Sequence, residues 1–368
     1  MHPILIMGSG KIGTMIAFLL ANTKDYHVFL ADIRPDQPHL RQLAALPHCE
    51  TITLNAEEES SVLDFIKQHQ IEAVISCLPY YHNMRVATVA SRANIHYFDL
   101  TEDVHVTQAI QKLSKQAQHA FVPQCGLAPG FIELVTHHLM QHFEKCDTVK
   151  MRVGALPQHS SNALHYALTW STEGLINEYG NPCEAIEGGE VVSVPPLEGL
   201  EEIIIDGVPY EAFHTSGGIG NLINAYKGKV KQLDYKTIRY PGHCEKMKFL
   251  MNDLNLNERR DTLKQILEGA LPYTHEDKVL VYVSVTGLQQ GKQTEERYVK
   301  QFYPQIIQDH LWSAIQLTTA SSLCVIVDVV LSQTDHYHGF IPQESFKWET
   351  FISNRFGKYF SNSQGLLT

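Results

Sequence analysis

Hydrophobic and polar positions fall in two different textures along the 368-residue chain. Over the first third, apolar runs of strand length alternate with stretches of helical periodicity. Ile4-Leu5-Ile6-Met7 and His27-Val28-Phe29-Leu30-Ala31 are the first two runs, with a helical stretch from Thr14 to Leu20 between them. The pattern predicts helices over 61–69, 84–93 and 104–120, and strands over 72–79, 96–100 and 121–125. These strands read as nearly continuous apolar runs, as strands covered on both faces do. The β-α-β-α order predicts an α/β domain on a doubly wound parallel sheet, spanning residues 1–128. After about residue 145 the texture changes. Strands are predicted over 149–156, 191–194, 202–205 and 279–285, the last pairing with 293–302 across a turn at Gln289 to Gly291. This predicts an inserted α+β domain over 129–311, built on a mostly antiparallel sheet. Trp312 to Leu331 reads as one long apolar helix that returns to the first domain, which residues of about 312–355 complete.

The first strand runs directly into Gly8-Ser9-Gly10-Lys11-Ile12-Gly13, a G-x-G-x-x-G turn that opens a helix. The first Gly permits the tight turn, the second lets backbone approach a pyrophosphate, and the third lets helix and strand pack closely. The helix N-terminus then faces the phosphates with free N–H groups. Asp32, with Ile33 beside it, ends the second strand nineteen residues after Gly13, where an acid accepts ribose hydroxyls. This is the plan of a Rossmann-type dinucleotide site. A carboxylate at Asp32 repels a 2′-phosphate, so the expected cofactor is NAD rather than NADP, although Arg34 stands within reach of such a phosphate. Ligands bind beyond the carboxyl ends of strands in such sheets. Cys77, Leu78, Pro79 and Tyr80, Asp99, Leu100 and Thr101, and Cys125 and Gly126 lie at such ends and are expected to ring the cofactor.

Composition narrows the partners. The net charge is −11, with no block of Lys and Arg, which argues against nucleic acid and anionic membranes. No apolar run is expected to approach the roughly 20 residues that span a bilayer, and no signal peptide fits before the first strand. Seven Cys without a C-x-x-C fit reduced thiols and a cytoplasmic location rather than a zinc cluster. His138 and His142 are four apart on a predicted helix, but without the accompanying Glu of a zinc-protease motif they read as a solvated face, and His336 and His338 read as loop residues. No metal site is expected.

Several middle strings are more specific: Cys125-Gly126-Leu127-Ala128-Pro129-Gly130, Thr169 to Tyr179 (TWSTEGLINEY), Ala212 to Gly218 (AFHTSGG), Thr237 to His243 (TIRYPGH), and Gly339 to Glu344 (GFIPQE). With the glycine turn, they make the chain resemble the saccharopine dehydrogenase family over roughly residues 3 to 345, and within it the lysine 6-dehydrogenases. The resemblance implies an NAD(P)-binding domain, a second domain inserted into it, and hydride transfer from a carbon bearing an amine. Ala128 stands where saccharopine reductases typically carry Asp, and Phe213-His214-Thr215 where they tend to carry an Arg-containing string. Both departures point from saccharopine, with three carboxylates, toward lysine, with one.

That chemistry needs a base, because an alkylammonium, of pKa about 10.4 when free, cannot donate hydride. Asp99 is one candidate, with a cap or ribose contact as its alternative. Tyr80 is the other, matching an active-site tyrosine of the saccharopine reductases, with packing over the nicotinamide as its alternative. Cys125 reads as a wall residue. Arg239 is the expected anchor of the α-carboxylate, since a guanidinium donates two parallel N–H bonds to a carboxylate. An internal salt bridge is the alternative. His243 is expected in the same cavity or as a structural histidine, Glu173 on the α-ammonium, Trp170 along the aliphatic stem or in the core, and His214 and Thr215 on substrate or in a solvated turn. The expected partners are a small amino-acid substrate and a second copy of the chain, in a homodimer through the middle sheet.

Overall fold

The computed structural model describes residues 1–35, 37, 40, 43 and 46–361. The chain divides into two compact units, one of residues 1–127 with 316–361, the other of residues 128–315.

The first unit is built on strands β1 (His2–Met7), β2 (Tyr26–Asp32), β3 (Cys49–Thr53), β4 (Ala73–Ser76), β5 (His96–Asp99) and β6 (Ala120–Val122), with helices α1 (Lys11–Ala21), α2 (Glu59–Gln68), α3 (Tyr80–Ala93) and α4 (Val104–Leu113) between them. All pairings are parallel, in the order β6-β5-β4-β1-β2-β3. The chain therefore reverses its direction of growth between β1 and β4, which opens a crevice at their carboxyl ends. Central strands bury both faces: Ile4, Leu5, Ile6, Val74 and Ile75 are all fully buried. The helix expected over 104–120 is shorter. It stops at Leu113 and is followed by a 3₁₀ turn at Ser114–Gln116.

The second unit begins with α5 (Phe131–Met140), β7 (Lys145–Pro157) and α6 (Thr172–Gly180). Then come β8 (Cys183–Glu187), β9 (Glu190–Val194), β10 (Glu201–Ile205), β11 (Val208–His214), α7 (Leu222–Tyr226) and β12 (Gln232–Arg239). It closes with α8 (His243–Lys248), α9 (Arg260–Ala270), β13 (Asp277–Gln289), β14 (Lys292–Phe302) and a small hairpin of β15 (Gln305–Ile307) and β16 (His310–Trp312). The sheet runs β10-β11-β12-β7-β13-β14, with β8 and β9 attached to β12. Among the named strands of this sheet, over the described residues, only the β12–β7 pair is parallel. The expected mostly antiparallel sheet is present, and β13 and β14 meet at a tight turn next to Gly291. Strand register decides which side chains share a face, because alternate residues point opposite ways.

The chain then enters α10 (Ala314–Ser332). Trp312, expected as the first helical residue, instead ends β16, and the helix starts where Asp277 accepts the N–H groups of Ala314 and Ile315. By length and composition α10 is apolar enough to cross a bilayer, contrary to the expectation that no run approaches that length, yet most of its residues are buried within the protein. Gln316–Ser361 belong to the first unit. There β17 (Gly339–Phe340) pairs parallel to β6 and extends the first sheet to seven strands, followed by α11 (Trp348–Ser353) and α12 (Lys358–Ser361). Asp328 of α10 fastens this return. It accepts from the Tyr26 hydroxyl at 2.5 Å, from Asn354 Nδ2 at 2.8 Å and from Arg355, which also pairs with Asp25.

Candidate functional site

In the first unit the glycine turn is shaped by backbone sterics. Gly8 has φ +104°, and a Cβ there would sit 2.9 Å from the Cys77 carbonyl oxygen. A Cβ on Gly13 would sit 2.0 Å from the Gly8 carbonyl oxygen, closer than any contact allows, so α1 can pack on β1 only with glycine there. Gly10, the residue before α1, has nothing within 4 Å of its Cβ position. Lys11 and Ile12 form the first turn of α1, which carries no acidic side chain that would compete with an anion for its N–H groups. A cradle closed by Gly8 and Gly13 and open at Gly10 fits a pyrophosphate.

Asp32 closes the adenosine end. Its Oδ2 accepts from the Ser9 amide (2.8 Å) and hydroxyl (2.7 Å), and its Oδ1 from the Arg34 amide (3.0 Å). Burial works to raise its pKa, but these donors outweigh it and hold the carboxyl below the usual range, so it is ionised at neutral pH. Ile33 and Arg34 beside it are exposed.

Asp99 requires a correction. It is fully buried, and its oxygens are taken by the Tyr97 hydroxyl (2.7 Å) and the amides of Thr101 (3.0 Å) and Gln124 (2.9 Å). It ties the end of β5 to the end of β6 rather than presenting a base. Burial lifts its pKa to about 6 despite the donors. Leu100, Thr101 and Gly126 lie in the segments it ties. Cys125 is buried, with its Sγ 3.0 Å from the Val122 carbonyl oxygen. Cys77, Leu78 and Pro79 link β4 to α3, and Tyr80 is the first residue of α3, its ring edge-on to Tyr81.

In the second unit, Arg239 ends β12 and is 2% exposed. Its Nε donates to the Tyr179 hydroxyl at 2.8 Å and its Nη1 to the Ile238 carbonyl at 2.8 Å. Its Cζ stands 5.1 Å from the Tyr166 ring centroid and 5.7 Å from that of Tyr179. No carboxylate lies within ion-pair distance of it among the described residues, so the internal salt bridge is absent. Glu211, its cross-strand neighbour, turns instead to the amides of Gly242 (2.8 Å) and Cys244 (2.6 Å) and holds the Pro-Gly turn. His243 is buried beside Arg239, with Nδ1 2.8 Å from the Leu164 carbonyl and Nε2 3.2 Å from the Tyr179 hydroxyl.

Other expected substrate contacts are redistributed. Glu173 is ion-paired with Lys264 of α9. Trp170 donates its indole N–H to the Tyr166 hydroxyl (3.1 Å) and packs at the edge of the core, its ring over Gly174, where a Cβ would come within 2.5 Å. His214 is paired across β11 and β12 with Lys236, whereas Arg239 is paired with Glu211. An odd offset separates the two, so His214 lies on the opposite sheet face from Arg239, with the Arg152–Glu201–Asp234–Lys236 ion-pair cluster. Thr215, one residue on, is buried, and its hydroxyl has no partner among the described residues. Tyr179 and Tyr166 are the residues sequence reasoning missed. Tyr179 closes the string that begins at Thr169, and its place there was its one visible signal. His142 lies beyond the end of α5 and contacts Glu296 at 3.0 Å, and no metal-binding cluster exists among the described residues.

One unit is thus a glycine-cradled parallel sheet of the Rossmann type, and the other a mostly antiparallel sheet that buries a guanidinium. Two known domain patterns match: the saccharopine dehydrogenase NADP binding domain over residues 4–122 and the saccharopine dehydrogenase C-terminal domain over residues 126–358. The chain belongs to the saccharopine dehydrogenase family of oxidoreductases. It is 24% identical over 211 residues to the saccharopine dehydrogenase [NADP(+), L-glutamate-forming] of Schizosaccharomyces pombe, covering 55% of this chain and 45% of that protein. To the mitochondrial alpha-aminoadipic semialdehyde synthase of Mus musculus it is 23% identical over 225 residues, covering 56% of this chain and 24% of that protein. The chain thus spans about a quarter to a half of the length of these relatives. The solved apo saccharopine dehydrogenase (L-Glu forming) of Saccharomyces cerevisiae shares the fold, with a TM-score of 0.74 at 16% identity over 93% of this chain and 94% of that one.

Proposed function

We propose that this chain is an amino-acid dehydrogenase that oxidises the ε-amine carbon of L-lysine, with NAD as acceptor. The observation that carries the reading is Arg239, a buried guanidinium that feels the charge of the buried Glu178 but has no carboxylate within ion-pair distance among the described residues. A buried charge is costly unless closely paired, and a substrate with one carboxylate would supply a direct partner for the end of the guanidinium. The bound nicotinamide would accept the hydride. In this reading Gly8, Gly10 and Gly13 seat the pyrophosphate, Asp32 takes the ribose, Arg239 orients the substrate, and Tyr80 relays the proton that the amine must lose first. The imine left by hydride loss adds water and releases ammonia, giving a semialdehyde that closes to the cyclic imine.

The names of the relatives favour a second reading, oxidation of saccharopine with NADP. Under it, Arg34 would meet the 2′-phosphate that Asp32 repels. Absorbance at 340 nm with lysine or saccharopine, each with NAD and NADP, separates the two. Lysine with NAD is expected to give the fastest signal, with ammonia released, and faster turnover of saccharopine would overturn the lysine assignment. Arg239→Lys keeps the charge but loses the planar fork, and is expected to raise the lysine KM about ten-fold, since a charged hydrogen bond contributes roughly 1.5–3 kcal/mol. NADH affinity should stay as in the wild type.

A further inference from the structure

Arg239 has five N–H groups, and the described residues take two of them: Nε–H goes to the Tyr179 hydroxyl and one Nη1–H to the Ile238 carbonyl. The remaining donors are on Nη1 and Nη2, the end-on pair that can grip both oxygens of a carboxylate. What fixes the guanidinium in that pose can be followed atom by atom. The Leu164 carbonyl can only accept, so the Nδ1 facing it carries the ring proton of His243. Burial, reinforced by the charge of Arg239, pushes the His243 pKa down to about 3, so the ring is neutral and Nε2 holds a lone pair. That lone pair faces the Tyr179 hydroxyl, whose own pKa burial lifts well above its ordinary value, so the phenol keeps its proton and donates it to Nε2. The phenol oxygen is then left as an acceptor for Arg239 Nε–H. Each link has one allowed direction, running from Arg239 through Tyr179 and His243 to Leu164. The rings of Tyr166 and Tyr179 flank the guanidinium, and His243 lies nearly parallel to Phe213 at an interplanar angle of 13°.

We infer that Tyr179 and His243 are positioning residues, a one-way hydrogen-bond relay that turns the end-on edge of Arg239 toward the carboxylate of an α-amino acid. The inference rests on Arg239 being the carboxylate anchor proposed above. It also assigns His243 a role without proton transfer to substrate.

Tyr179→Phe keeps the ring and removes the relay oxygen. Two amines separate positioning from general damage: L-lysine, and 1,5-diaminopentane, which has the same reacting end but no carboxylate. In Tyr179→Phe, kcat/KM for lysine should fall about ten-fold through KM, with kcat within two-fold and kcat/KM for diaminopentane unchanged. L-Norleucine, which keeps the carboxylate and lacks the ε-amine, reads the same site without turnover. Its Kd, followed by isothermal titration calorimetry on the full chain, should rise about ten-fold. His243→Gln offers an amide oxygen that can accept from Tyr179, and should keep more norleucine affinity than His243→Phe. If Tyr179→Phe does not fold, the two His243 variants make the same comparison. Equal losses for lysine and diaminopentane, or norleucine affinity unchanged in Tyr179→Phe and in both His243 variants, would overturn the relay. A wild type that binds norleucine but oxidises neither amine would remove the lysine reading and leave the relay standing on the binding data.

Discussion

The two units build their candidate sites by opposite means. In the first, the site is backbone: the amides of a glycine turn and of a helix start, with Asp32 as its chief side-chain contribution and two glycines required because no Cβ fits. All of it but the contact with Cys77 lies within the first 34 residues. In the second, the site is side chains, drawn from a loop (Leu164, Tyr166), α6 (Tyr179), the end of β12 (Arg239) and α8 (His243). The first is a local solution that any chain with the right spacing adopts. The second exists only once a long stretch of chain has folded around it. A site of the first kind fails through sterics, and one of the second kind through loss of a hydrogen bond or a change of charge.

The most severe break lies in the first unit. Gly13→Val drives a branched side chain into the Gly8 carbonyl, and should cost about 3 kcal/mol or more, seen as loss of soluble protein or a large drop in Tm. Gly10→Ala, three residues away, meets nothing and should leave Tm in place while weakening dinucleotide binding. A Gly13→Val protein with wild-type Tm would refute the close-packing argument.

Next in size are two opposed pH effects, one in each unit. The His243 pKa is lowered from 6.5 to about 3 by burial and the charges of Arg239, Lys246 and His165. The folded state therefore binds fewer protons than the unfolded one between those values, and the stability present above pH 6.5 is lost as pH falls toward 3. The Asp99 pKa is raised from 3.8 to about 6, so its contribution is full below about pH 4 and is lost as pH rises through 6. In urea unfolding from pH 7 to pH 4, His243→Gln should flatten the acid loss by several kcal/mol. Asp99→Asn should steepen it by roughly 2–3 kcal/mol, because it removes a group that stabilises the fold as it protonates. Parallel curves for wild type and both variants would contradict these assignments.

The smallest effect concerns the adenosine end. Ser9→Ala removes one of the donors on Asp32 but leaves the amide, and should change NADH affinity by less than about three-fold, in keeping with a net hydrogen bond of about 1 kcal/mol or less. Asp32→Ala should narrow the gap between NADH and NADPH in the same titration. A wild type that prefers NADPH would place Arg34 in control of that end.

The same contrast explains what could be read in advance. The parallel sheet was legible because β1, β2 and β4 are apolar runs punctuated by glycine and proline. The β13–β14 hairpin was legible because its strands are long and meet at a tight turn. Strands β11 and β12 were not, since Glu211, Lys236 and Arg239 interrupt their apolar pattern with buried charge. Arg239 and His243 drew attention by residue type and motif, but their partners could not be foreseen. Nothing local tells that Glu211 will turn from Arg239 to the α8 amides, or that Glu173 will meet Lys264 from α9. His214 was misplaced for a simpler reason: the face a strand residue takes depends on register, and the register of β11 was not visible without its partner.

The return of α10 and β17 to the first sheet carries a consequence for synthesis. A chain leaving the ribosome presents its amino-terminal strands first, and domains generally fold as they emerge. Here residues 1–127 come out without the strand that pairs with β6, or the Asp328 that grips Tyr26 and Arg355. Residues 128–315 are finished sooner, with every strand of their sheet contained within that stretch. Residues 316–361, which follow the inserted unit in synthesis, are therefore needed to complete the sheet begun in residues 1–127, and the inserted unit is the earlier of the two to have everything it needs to close.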